Sequence, residues 1–139
     1  MEVNEPMVAY GAADDNSVYR FISAIRSGIP FAFFQKLSKD IPFSLSDWAN
    51  LLHVSDRTLL RYKKDSKPLD SNSSEKILEI TMLYKLGVDV FGNKEHFNTW
   101  LVTPSLALNN QTPKSLLDSS FGIQLVKTEL HRIEHGVFA

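Results

Sequence analysis

The stretch at residues 44–64, SLSDWANLLHVSDRTLLRYKK, leaves the chain few ways to fold. Ser44, followed three residues later by Asp47, has the form of a capping box, and Ser55 stands where a second helix can be capped. Two short helices must then meet across the tight turn His53-Val54-Ser55. Ala49 supplies the small residue where such helices cross, and Trp48, Leu52, Val54, Leu59 and Tyr62 are spaced to fill the inner angle. The expected element is a helix-turn-helix. Its turn commonly carries glycine because the backbone there tends towards positive φ. Here it carries His53, a residue type that tolerates the left-handed region.

The rest of the chain is patterned for helices too, and no segment alternates as a strand would. Val18, Phe21, Ile22 and Ile25 recur at helical spacing, with Gly28 as a left-handed stop. Pro30 suits the entry to FAFFQKLSKD, and Pro42 separates that segment from the helix-turn-helix stretch. After the polar run DSKPLDSNS, a helix is expected over SSEKILEITMLYKLG, with Asn72 and Glu75 as its cap and Gly87 as its stop. Phe97, Trp100 and Leu101 mark a short helix. Thr112 and Pro113 open another turn, and Ile123, Val126, Leu130 and Ile133 form one apolar seam ended by Gly136.

Composition narrows the chemistry. The chain has no cysteine, which excludes disulfides, thiolate metal sites and a cysteine nucleophile. No apolar run approaches the about 20 residues of a membrane span, and the acidic start MEVNEPMVAYGAADDN lacks the form of a secretory signal. It reads as an arm of a protein expected in the cytoplasm. A net charge of -1 argues against wholesale coating of nucleic acid, but not against a local basic patch. Between Arg57 and Lys67 lie five basic residues, Arg57, Arg61, Lys63, Lys64 and Lys67, against one acid, Asp65. A recognition helix presents its N-terminal and outer residues to the DNA groove, here Ser55, Arg57, Thr58, Arg61, Lys63 and Lys64. Arginine can pair with guanine, while lysine and serine can hold phosphates. The competing reading of the same face is the wet side of an ordinary bundle helix.

The second half carries an ordered set of motifs: Trp100-Leu101, Pro104, Ala107-Leu108, Pro113, Leu116-Leu117, Gly122, then Arg132-Ile133-Glu134 with Gly136. In this it resembles the C-terminal domain of the Xre/MbcA/ParS family of antitoxins. Residues 27–30, SGIP, and the stretch LLHVSDRTLLRY resemble the Xre-type helix-turn-helix that precedes that domain. The chain departs from the family at two places. Asn109-Asn110 replace a glycine pair, and His53 replaces the turn glycine; asparagine is the best substitute for glycine in left-handed backbone. The resemblance implies a type II antitoxin with no cofactor, and a RES-domain toxin that consumes NAD as its partner. It also implies a homodimer that represses its own promoter at operator DNA. The toxin's NAD pocket would be plugged by the C-terminal end, Arg132, Glu134, His135, Gly136, Val137, Phe138 and Ala139.

The expected architecture is all-α. An arm at residues 1–16 precedes a helix-turn-helix bundle at 17–70 and a small helical dimerisation and toxin-binding domain at 71–139. Ile77, Ile80, Leu83, Tyr84 and Leu86 are the candidate for part of a dimer seam, unless their helix is simply central to the bundle. An enzyme is not expected. HRIEH at residues 131–135 matches the H-x-x-E-H form of one metalloprotease class, but a third ligand normally lies well downstream and only four residues remain. The rival readings are a transcription regulator without a toxin, and an interaction module that has lost DNA contact.

Overall fold

The computed structural model describes residues 15–136. Seven α-helices and two short 3-10 turns account for its regular structure, with no strand among the described residues. Compactness divides the chain between Met82 and Leu83, inside a helix; the boundary expected from sequence lies before that helix.

The first unit begins with α1 (Asp15–Ser27), whose start takes in the last two residues of the expected arm. Phe21, Ile22 and Ile25 are half-buried and Ala24 is buried, whereas Val18 is exposed. Gly28 ends the helix at φ +86, and its amide donates to the Ala24 carbonyl at 3.0 Å. A methyl group there would overlap the Leu69 carbonyl oxygen, so this position needs glycine twice over. The turn after it pairs with the segment at 68–70: the Leu69 amide donates to the Ile29 carbonyl at 2.8 Å. Next come α2 (Phe31–Leu37), α3 (Leu45–Leu52) and α4 (Asp56–Asp65). Phe34 packs edge-on to Phe31 at 5.4 Å and to Trp48 at 5.2 Å, and Phe43 lies 5.5 Å from Trp48. Each such aromatic pair adds about 1 kcal/mol beyond the area it buries. Leu59 and Leu69 complete this core.

Helix α5 (Ser71–Phe91) is capped by Asp70 rather than by Asn72. The Asp70 carboxylate accepts from the Ser73 amide at 3.1 Å, because the helix starts earlier than its apolar pattern does. Nor does Gly87 stop it. The helix runs through Gly87 because the ring of Phe97 packs where a side chain would sit. Gly92, at φ +87, is the stop. Ile77, Ile80, Leu83, Tyr84 and Leu86 are all buried within the single chain. That overturns the expected dimer seam: these side chains are already consumed as core.

In the second unit α6 (Lys94–Leu101) is capped by Asn93, whose side chain accepts from the His96 amide. Phe97 lies 5.3 Å from Tyr84, 5.8 Å from Phe91 and 5.9 Å from Trp100. The Tyr84 hydroxyl donates to the Asn98 side chain at 2.6 Å. Asn109 and Asn110 both take left-handed backbone, φ +61 and +62, as the expected glycine-pair geometry requires. Two 3-10 turns (Leu106–Leu108 and Lys114–Asp118) lead to α7 (Ser120–Glu134). Ile123, Val126 and Leu130 are its buried seam, as its sequence spacing predicts, while Ile133, the fourth expected member, is only half-buried.

Candidate functional site

Two sets of exposed side chains stand out, one on each unit. On the first, the corner between α3 and α4 is fixed by local chemistry. The Ser44 hydroxyl accepts from the Asp47 amide at 3.0 Å, and the Asp47 carboxylate accepts from the Ser44 amide at 2.9 Å, completing the capping box. His53 closes α3 in left-handed backbone at φ +59. The Val54 amide then donates to the Ala49 carbonyl at 3.0 Å. Ser46 donates to the Asp56 carboxylate at 2.6 Å, tying the start of α4 to α3.

The expected DNA residues divide into three groups. Ser55 caps α4: its hydroxyl accepts from the Thr58 amide at 3.0 Å and donates to the Thr58 hydroxyl at 3.0 Å. These two side chains order the helix start and have less capacity left for phosphate. Arg57, Arg61 and Lys64 are exposed and follow one another at i, i+4 and i+7. That spacing puts them on one stripe opposite the buried Leu59. Lys63 is also exposed but sits on another flank. It lines an apolar cleft of about 270 Å³ with Phe31, Phe34, Phe43, Trp48 and Leu60. On the other side of the stripe, Thr58, Arg61, Tyr62, Asp65 and Lys67 line a shallow cleft of about 220 Å³. The only acid of the basic run therefore stands beside Arg61.

Tyr62 anchors this helix from behind. Its hydroxyl donates to Asp70 at 3.3 Å. Burial, and then the Asp70 charge, push the Tyr62 phenol above its usual range. Burial also pushes the Asp70 carboxyl up. Hydrogen bonds from the Ser73 hydroxyl and amide, and from Tyr62, outweigh that, and the net position is below the usual carboxylate range. Asp70 thus joins the back of α4 to the start of α5, a link that sequence spacing does not announce.

On the second unit the last turn of α7 carries Arg132, Glu134 and His135, with Gly136 after it at φ +66. Arg132 pairs with Glu129 at 3.1 Å while 57% of its side chain remains exposed. Glu134 meets the His131 ring at 3.3 Å. Val137, Phe138 and Ala139, the remaining residues of the expected plug, lie outside the described residues. Sequence reading missed a further feature of this unit: Phe121 is 92% exposed and Leu106 85%, with Leu125 and Val102 about half as exposed. Phe121 and Leu125 lie one turn apart on α7, outside the 123-126-130 seam. The signal for them was present in that they fall off the apolar stripe.

Comparison with known proteins assigns a family to each part. Residues 20–81 match the model of the antitoxin Xre-like helix-turn-helix domain. Residues 86–136 match that of the antitoxin Xre/MbcA/ParS C-terminal toxin-binding domain. The chain is 30% identical over 111 residues to the antitoxin Xre of Yersinia enterocolitica, covering 73% of this chain and 75% of that relative.

Proposed function

From the premise that this chain belongs to the Xre antitoxin family, we propose that it neutralises a RES-domain toxin that degrades NAD, and that it represses its own operon as a homodimer on operator DNA. The observation that carries the neutralising half is the toxin-binding domain at 86–136, whose last turn holds Arg132, Glu134 and His135 out in solvent. Such a helix end offers charge-assisted hydrogen bonds to a pocket built for a dinucleotide. Gly136 lets the chain leave the helix, and Val137, Phe138 and Ala139 would enter the pocket with apolar contacts. Phe121, Leu125 and Leu106 add exposed apolar area that the toxin would cover.

The DNA half rests on Arg57, Arg61 and Lys64, which share the outward stripe of α4. Arg57 and Arg61 would reach base edges and Lys64 a phosphate. Ser55 and Thr58 act by holding the helix start in place, and Lys63 contributes from the flank. One such domain offers few contacts, which is why a dimer on two half-sites is part of the reading.

The test uses the reading frame adjacent to this one. It is expressed with and without the chain while cellular NAD and growth are followed. The proposal expects NAD to collapse with the neighbour alone and to recover with both. If NAD never falls, or falls equally in the two cultures, neutralisation is lost and a stand-alone regulator becomes the account.

A further inference from the structure

We propose that His131, Glu134 and His135 form a binding site for one divalent transition-metal cation of the zinc class. The three residues are i, i+3 and i+4 on the last turn of α7 and at its cap, which puts them on one face of the helix. One donor atom from each lies within 4.8 Å of the others. The His131 Nδ1 is 3.3 Å from Glu134 Oε1, and the two imidazole rings stack at 6.4 Å between centroids with 22° between their planes. Donors bound tetrahedrally at about 2.0–2.1 Å stand roughly 3.4 Å apart, so the cluster has only to contract by side-chain rotation. Nothing buried must move for that, since the His131 and Glu134 side chains are each 45% exposed.

Three further features favour a cation here. The aligned peptide dipoles of α7 place partial negative charge at its C-terminal end. Arg132, the nearest guanidinium in sequence, is drawn to Glu129. Two imidazoles and a carboxylate also form a donor set suited to zinc, nickel or copper rather than calcium or magnesium, and they leave a fourth position open. HRIEH has the spacing of a metalloprotease pattern whose third ligand lies further along the chain. The geometry supplies the third donor from within the motif, as Glu134 itself, and asks for binding without proteolysis. Glu134 and His135 also belong to the end assigned above to the toxin. A bound ion and the toxin would then compete for them, a consequence that rests on that reading, whereas the metal site does not.

The experiment is calorimetric titration of tag-free, full-length protein with zinc chloride in a non-coordinating buffer, with cobalt(II) absorption reporting the coordination. One ion per chain is expected. Replacing both ligands, His131→Gln with His135→Gln, should remove saturable uptake, and Glu134→Gln should weaken it about tenfold or more. Circular dichroism verifies that these surface variants stay helical. The other two histidines, changed as His53→Asn with His96→Gln, should leave uptake intact. No saturable uptake by the unmodified chain, or equal uptake by the 131/135 variant, overturns the site, as does its loss in the 53/96 variant. Neutralisation is measured separately in the presence of a chelator. Zinc uptake without neutralisation removes the toxin reading alone, and neutralisation without zinc uptake removes the metal site alone.

Discussion

Ser74 is fully buried, and its hydroxyl holds two distant backbone segments together. It accepts from the Ile29 amide at 2.9 Å and donates to the Leu69 carbonyl at 3.3 Å. In Ser74→Ala both groups stay buried, and the Ile29 amide loses its acceptor. A buried donor left without a partner costs about 1–3 kcal/mol, and that loss is expected in the denaturant unfolding of the variant. In sequence the residue sits inside SNSSE, where serine suits a helix cap, so its tertiary task was not legible. Asp70 was overlooked for the same reason. Its carboxyl is held below the usual range, so its contribution is full above the unfolded value of about 3.9 and disappears as pH falls through the folded value. Asp70→Asn should therefore flatten the acid side of the stability profile below about pH 4, as read from unfolding midpoints across that range.

At the scale of elements, the pattern of caps and stripes was legible wherever a helix end is decided locally. Ser44 with Asp47, Ser55, Gly28 and the left-handed His53, Asn109 and Asn110 all act on neighbours within a few residues. Gly87 was misread because its reason lies in another helix. It has helical backbone and is kept small by the Phe97 ring. Gly87→Ala improves helix propensity by about 1 kcal/mol. The ring has no free space to enter, since Phe97 is fully buried, and overpacking of this kind costs about 1–3 kcal/mol. A net loss in thermal midpoint is expected; a gain would mean that Phe97 relaxes at no cost. The apolar width of α5 was ambiguous in the same way. Hydrophobic positions around a helix state that it will be covered, not by what, and Ile77 and Leu83 are covered within the chain. The candidate sites were legible as residue types, and helical spacing sets Lys63 off the Arg57, Arg61 and Lys64 stripe, but the apolar cleft that Lys63 lines with Phe31, Phe34 and Trp48 needed the fold.

For the whole molecule the two proposed activities draw on different residues, and each unit has its own aromatic core. Two variants should consequently divide the functions. Arg57→Ala with Arg61→Ala removes exposed charge without touching Leu59 or Tyr62, so the fold of the first unit should survive. Each lost phosphate contact lowers the salt slope of DNA binding by about 0.9, and each lost base contact costs about 1–3 kcal/mol. Operator binding should therefore fall out of range at physiological salt while NAD is still protected. Ending the chain after Ile133 does the reverse. The anchors Val126 and Leu130 remain, both fully buried, and the described residues lost with the truncation are exposed or half-buried. The truncated protein should keep its helix content and its operator affinity and lose neutralisation. If it still neutralises, the exposed Phe121, Leu125 and Leu106 must hold the toxin without a plug. If the arginine variant folds but fails to neutralise, the toxin contact extends onto α4, and repression and neutralisation share a surface.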